Sequence, residues 1–122
     1  MTSYDPESDV ARGERAIVVV PEKVGEEARR STDARLEEAE GLAGAIGVDV
    51  VARKAFRLRQ IRPATLLGKG QVEEVAELAK ANDAKLLIVD AQLTPVQQKS
   101  LEEQSGAKVI DRTSLILEIF GE

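Results

Sequence analysis

A chain of 122 residues, 43% of them hydrophobic, suffices for one domain that buries most of its apolar surface and is short for two. It has no cysteine or histidine, which excludes disulfides, thiol catalysis, an imidazole base and the usual zinc cluster. The net charge of -5 is uneven: Arg53, Lys54, Arg57, Arg59, Arg62 and Lys69 give +6 between Val50 and Val72 with no acid among them, leaving -11 for the remainder.

Residues 1–14 are polar and aperiodic and read as a disordered tail before one domain, 15–122. They are too acidic for a secretory signal, and no run approaches the roughly 20 apolar residues of a membrane span, so the expected location is the cytoplasm. Residues 16–20, AIVVV, form a β-branched run bounded by Pro21, as expected of a strand buried on both faces. A helix follows over 31–46, capped by Ser31, Thr32 or Asp33 and closed by Gly47, with Leu36, Ala39, Leu42, Ala43 and Ile46 on one stripe. Residues 48–56 read as a more polar second strand at a sheet edge.

After a loop over 57–68, residues 70–82 form a helix with Val72, Val75, Ala76 and Ala79 at helical spacing. Residues 85–89, KLLIV, are a third strand. Thr94 and Gln97 make a capping box with Pro95 at the first helical position, and Gly106 suits a left-handed cap, which delimits a helix over 94–105. Residues 108–110 give a short fourth strand, and a last helix starts at Thr113 with Leu115, Ile116, Ile119 and Phe120 lining one side. The alternation predicts an α/β fold: a four-stranded parallel sheet, order 2-1-3-4, with helices on both faces.

Ligands of such sheets gather beyond the carboxyl ends of the strands. That rim is expected to carry the basic stretch, the Gly68-Lys69-Gly70 turn, and two acids, Asp90 and Asp111. The basic stretch suits an anion or nucleic-acid contact, or equally a solvated sheet edge, and charge alone favours neither. The few aromatics, two Phe and one Tyr, exclude a stacking platform for single strands. Gly68 and Gly70 meet the needs of a phosphate cradle, but GxxxxGK[ST] and GxGxxG are absent, and Glu73 and Glu74 are expected in the first helical turn, where they repel an anion. The turn thus reads as scaffold first. Asp90 is expected to cap a turn or helix and Asp111 to cap the last helix. No catalytic set and no metal spacing emerges.

The segments PATLLGKGQVEEV and LLIVDAQLTPVQQKSLEEQSGAKVIDRTSLILEIFGE resemble the N-terminal domain of HflX-type translational GTPases. The elements that match are Pro63 to Thr65, Gly68 to Glu74, Asp90, Leu93 to Gln97 and Val109 to Phe120. The family's small residue and lysine in the glycine turn stand here as Lys69 and Gln71. The resemblance implies a longer protein with a linker helix and a GTPase domain, which uses GTP and magnesium and binds the large ribosomal subunit and its RNA. It also implies that this domain is the ribosome-facing, regulatory part, docked to its GTPase domain through a last helix cut short here. The chain has no GKS or GKT, no DxxG and no NKxD, so hydrolysis is not expected within it. Two alternatives remain: nucleotide binding in its own right at Gly68 to Gly70, with Asp90 or Asp111 holding magnesium through water, and a protein interaction module using residues 115–120.

Overall fold

The computed structural model describes residues 13–23, 29–58, 63 and 65–120, so most of the expected tail, together with Arg59 and Arg62, lies outside the described residues. Eight elements alternate: β1 (Arg15–Lys23), α1 (Arg29–Ala45), β2 (Asp49–Leu58), α2 (Lys69–Ala81), β3 (Leu86–Val89), α3 (Pro95–Ser105), β4 (Lys108–Ile110) and α4 (Arg112–Phe120). The strands form one sheet, order β2-β1-β3-β4, with every pairing parallel. The expected topology is therefore the observed one, and its cause is the alternation of apolar strands with amphipathic helices.

Ala16 through Val20 are all fully buried because the sheet is covered on both sides. Ile17, Val19, Leu87, Val89 and Val109 pack with Val72, Val75 and Ala79 of α2 and Leu101 of α3. On the other side, Ala16, Val18, Val20, Leu86 and Ile88 pack with Ala39 and Ala43 of α1 and Leu115 of α4. The strand order reverses at β1, and this reversal sends α1 and α2 to opposite faces.

Some boundaries move. Strand β1 continues through Pro21 to Lys23, since β3 ends at Val89 and Pro21 needs only its β2 neighbour, Phe56. Strand β2 accordingly runs on to Leu58, with Phe56 and Leu58 buried on the α2 side and Arg57 between them, inside the strand. Near its start β2 bulges: Ala16 pairs with Val50 but Ile17 with Ala52, leaving Val51 as an extra residue. Helix α1 begins at Arg29, which places Ser31, Thr32 and Asp33 inside it rather than at its cap. Its end is as expected, with Gly47 at φ +84°.

Helix α3 matches its sequence signals closely. The Gln97 N–H donates to Thr94 Oγ1 (3.1 Å), the Thr94 N–H to Gln97 Oε1 (3.0 Å), and Gly106 has φ +74°. Helix α4 departs from expectation: Leu115 is buried, but Ile116, Leu117 and Phe120 are exposed, the last two by 62% and 79%. Leu115 and Phe120 are five residues apart, roughly 140° around a helix at 3.6 residues per turn, and so cannot share a side.

Candidate anion-binding rim and the clasp beside it

The chain passes from β2 to α2 through a turn held by its own side chains. Thr65 Oγ1 donates to the Leu67 carbonyl at 2.7 Å, and Leu66 and Leu67 are both buried in the core under α2. Leu66 has φ +70°, a left-handed conformation that costs a branched side chain on the order of 1–2 kcal/mol and persists only where surroundings enforce it. Gly68 is the N-cap of α2. Having no side chain, it contributes only its backbone N–H, which donates to Gln71 Oε1 at 3.0 Å. Gln71 Nε2 donates to the Arg57 carbonyl, also at 3.0 Å, so this one side chain bridges the end of β2 and the start of α2. The lysine expected from the family pattern is replaced by a structural fastener.

Neither Gly68 nor Gly70 is at positive φ, and a Cβ at Gly70 would meet open space. Because α2 starts at Lys69, its first turn contains no acid: Glu73 and Glu74 fall in the second turn, which corrects the expected repulsion of an anion. Glu74 instead pairs with Lys54 Nζ at 2.7 Å.

The basic residues do not all reach the rim. Arg53 and Lys54 are mid-strand on opposite faces of β2, Arg53 with Glu40 of α1 (2.8 Å) and Lys54 with Glu74 of α2, its Nζ 5.7 Å from the Phe56 ring centre. Arg57 lies four residues further along the strand than Arg53, a span of about 13 Å. Arg57, near the carboxyl end of β2, and Lys69, first residue of α2, are exposed at that end.

The two acids are engaged by protein donors. Asp90, just past β3 at the point where strand order reverses, is 6% exposed. Arg35 of α1 donates from Nε to Asp90 Oδ2 (3.0 Å) and from Nη2 to its backbone carbonyl (2.9 Å), while Arg112 Nε of α4 lies 3.4 Å from Oδ1. Asp90 is thus an ion-pair clasp between α1, β3 and α4, in place of the expected cap. Asp111 does cap α4, accepting from the Ser114 N–H at Oδ1 (2.9 Å), and its Oδ2 accepts from the Leu93 N–H (3.1 Å). Both carboxylates to which the nucleotide-binding alternative would give magnesium are thus engaged by protein donors, and no set of His, Cys, Asp and Glu among the described residues is placed to hold a metal ion.

Arg35 was the residue least visible in the sequence. Its signal is position: residues 35, 39, 42 and 46 follow the helical spacing of the α1 stripe, and a guanidinium on such a line requires a partner.

Residues 33–121 match the protein family described as GTP-binding GTPase N-terminal. The chain is similar to proteins named GTPase HflX: 44% identical over 85 residues to that of Magnetococcus marinus, 39% over 107 residues to that of Lacrimispora saccharolytica, and 36% over 87 residues to that of Escherichia coli. These alignments cover 70%, 88% and 71% of this chain but 20%, 25% and 20% of the relatives, so the chain spans about a quarter or less of their length. Its fold is similar to that of a GTP-binding protein of Sulfolobus solfataricus in complex with GDP, with TM-score 0.62 and 18% identity over 88% of this chain and 30% of that one. A second structure, of SsGBP with GDP, gives TM-score 0.66 at 18% identity over 88% and 29%. No helix among the described residues is long and apolar enough to cross a membrane.

Proposed function

Because this chain belongs to the GTP-binding GTPase N-terminal family, we propose that it is the ribosome-facing, regulatory domain of a cytoplasmic GTPase that associates with the large ribosomal subunit. GTP and magnesium then belong to a separate GTPase domain of the longer protein. The observation that carries this reading is the family match over residues 33–121 in a sequence without GKS, GKT, DxxG or NKxD. Contact with ribosomal RNA falls to Arg57, Arg59, Arg62 and Lys69, which act as phosphate partners and give salt-sensitive, largely sequence-neutral affinity. Arg53 and Lys54 are weaker candidates, since Glu40 and Glu74 already meet their charge.

Co-sedimentation of the chain with large ribosomal subunits at several salt concentrations tests this. Replacing the four cations by alanine is expected to reduce affinity roughly tenfold and the log-log salt slope by about 3, with the melting transition kept. An unchanged slope removes the rim from the reading. Micromolar heat on titration with GTP or ATP, lost in Gly70→Val, replaces it by nucleotide binding at the open start of α2.

The exposed stripe of α4, Thr113, Ile116, Leu117 and Phe120, is our proposed dock for the GTPase domain. In the longer protein, Leu117→Glu with Phe120→Glu is expected to lower the melting temperature, while the isolated chain changes by no more than about 0.5 kcal/mol. Equal effects in both proteins exclude docking through this stripe.

A further inference from the structure

Strand β4 closes the sheet on one side and, among the described residues, pairs with no strand but β3. In a parallel pair, successive residues turn their backbone N–H and C=O groups alternately toward the neighbour and away from it. The Lys108 N–H donates inward to the Lys85 carbonyl (2.9 Å), so the outward groups belong to Ala107 and Val109. Side chains of a single helix meet them. Ser105 Oγ accepts from the Ala107 N–H (3.2 Å), Glu102 Oε2 accepts from the Val109 N–H (3.0 Å), and Gln98 Nε2 donates to the Val109 carbonyl (2.9 Å).

Gln98, Glu102 and Ser105 stand at i, i+4 and i+7 of α3, one half-buried stripe laid along the strand. Its three contacts imitate those of a missing fifth strand. Apart from this stripe the strand carries few of the ordinary deterrents of an edge: Ala107, Val109 and Ile110 are buried and apolar, and Lys108 is the one charged residue of β4. The opposite edge, β2, carries Arg53, Lys54 and Arg57 instead.

We propose that the outer edge of β4 is a strand-pairing surface for a second copy of this chain, held shut by the Gln98, Glu102 and Ser105 stripe. A second copy fits because the edge is self-complementary about a twofold axis. Laid antiparallel, the two Val109 residues face each other and exchange both backbone hydrogen bonds, the N–H and C=O that Glu102 and Gln98 now hold.

The experiment is sedimentation equilibrium of the 122-residue chain and its Gln98→Ala/Glu102→Ala variant, with amide exchange read at Val109. The parent is expected to be the more monomeric, and the variant to associate at least about tenfold more strongly, since each freed backbone group gains roughly one hydrogen bond on pairing. At dilution the Val109 amide of the variant exchanges faster than in the parent, and association protects it again. Glu102→Gln, which keeps an acceptor oxygen, restores the parent's behaviour. Should the double variant fail to fold, Glu102→Ala alone is read in the same way. Association no stronger than the parent's overturns the proposal, as does association that leaves the Val109 amide unprotected, or a Glu102→Gln chain that associates as strongly as the alanine variant.

Discussion

Leu67→Ala is expected to lower the stability of this chain by about 2–5 kcal/mol, the range for removing a large aliphatic side chain from a site that cannot collapse. Leu67 is fully buried and sits between Leu66, fixed at positive φ, and Gly68, the N-cap of α2. Its carbonyl is held by Thr65 and the Gly68 N–H by Gln71, so the backbone on either side is tied and cannot move in to fill a void. Against a total stability on the order of 5–15 kcal/mol, such a loss moves the urea midpoint far while leaving the slope of the transition unaltered. Leu117→Ala, at a position 62% exposed, serves as the control and is expected to change stability by less than about 0.5 kcal/mol. A loss below about 1 kcal/mol at Leu67 would mean that the turn is not anchored by its side chains. The glycine turn would then no longer read as scaffold.

The second large effect is expected at the clasp. Removing one member of a buried ion pair costs roughly 3–5 kcal/mol, but Arg35 and Arg112 retain access to water, which reduces the figure for Asp90→Ala to about 2–3 kcal/mol. Their side chains are 28% and 49% exposed, against 7% for Asp90. Asp90→Asn preserves an oxygen for the Arg35 donors and is expected to cost less than half as much. Arg112→Ala, which loses the longer and more exposed contact, ranks below Arg35→Ala. A double-mutant cycle between Arg35 and Asp90, read by urea unfolding, measures their coupling. A coupling energy indistinguishable from zero would show that burial of the β3 end, rather than the pair, holds α1 and α4 in place.

Both effects bear on how the fold is written in the chain. The strands β1 and β3 were legible because Ala16 to Val20 and Leu86 to Val89 are continuous apolar runs, the mark of strands covered on two sides. Helix α3 was legible to its ends because Thr94, Pro95, Gln97 and Gly106 each impose a local geometry that needs no tertiary help. Where boundaries slipped, the cause lay in neighbours. Pro21 ends a strand only where the neighbour it faces needs its N–H, and the sequence does not reveal that β3 is too short to ask for it. The apolar residues of α4 likewise fit several helical stripes, and packing against α1 chose the one through Leu115.

The candidate site was less legible than the fold. Six cations in one stretch look like one patch, but strand alternation parts the three that lie in β2. Arg53 and Lys54 go to separate faces, where Glu40 and Glu74, remote in sequence, meet them. Asp90 stood out as an acid at a strand end, yet its use as a clasp depends on Arg35, 55 residues away.

The irregularity at Val51 governs which cation goes where. Before it, Val50 faces α1; after it, Arg53, Ala55 and Arg57 do, because one surplus residue inverts the parity of everything downstream. Were the same strand paired without the bulge, with Val51 opposite Ile17, the two sides of β2 would trade from that point on, carrying Arg57 around to the flank where Lys69 stands and turning Phe56 out of its niche. The placement of positive charge on this domain is thus set by a counting error of one in a single strand, at unchanged composition.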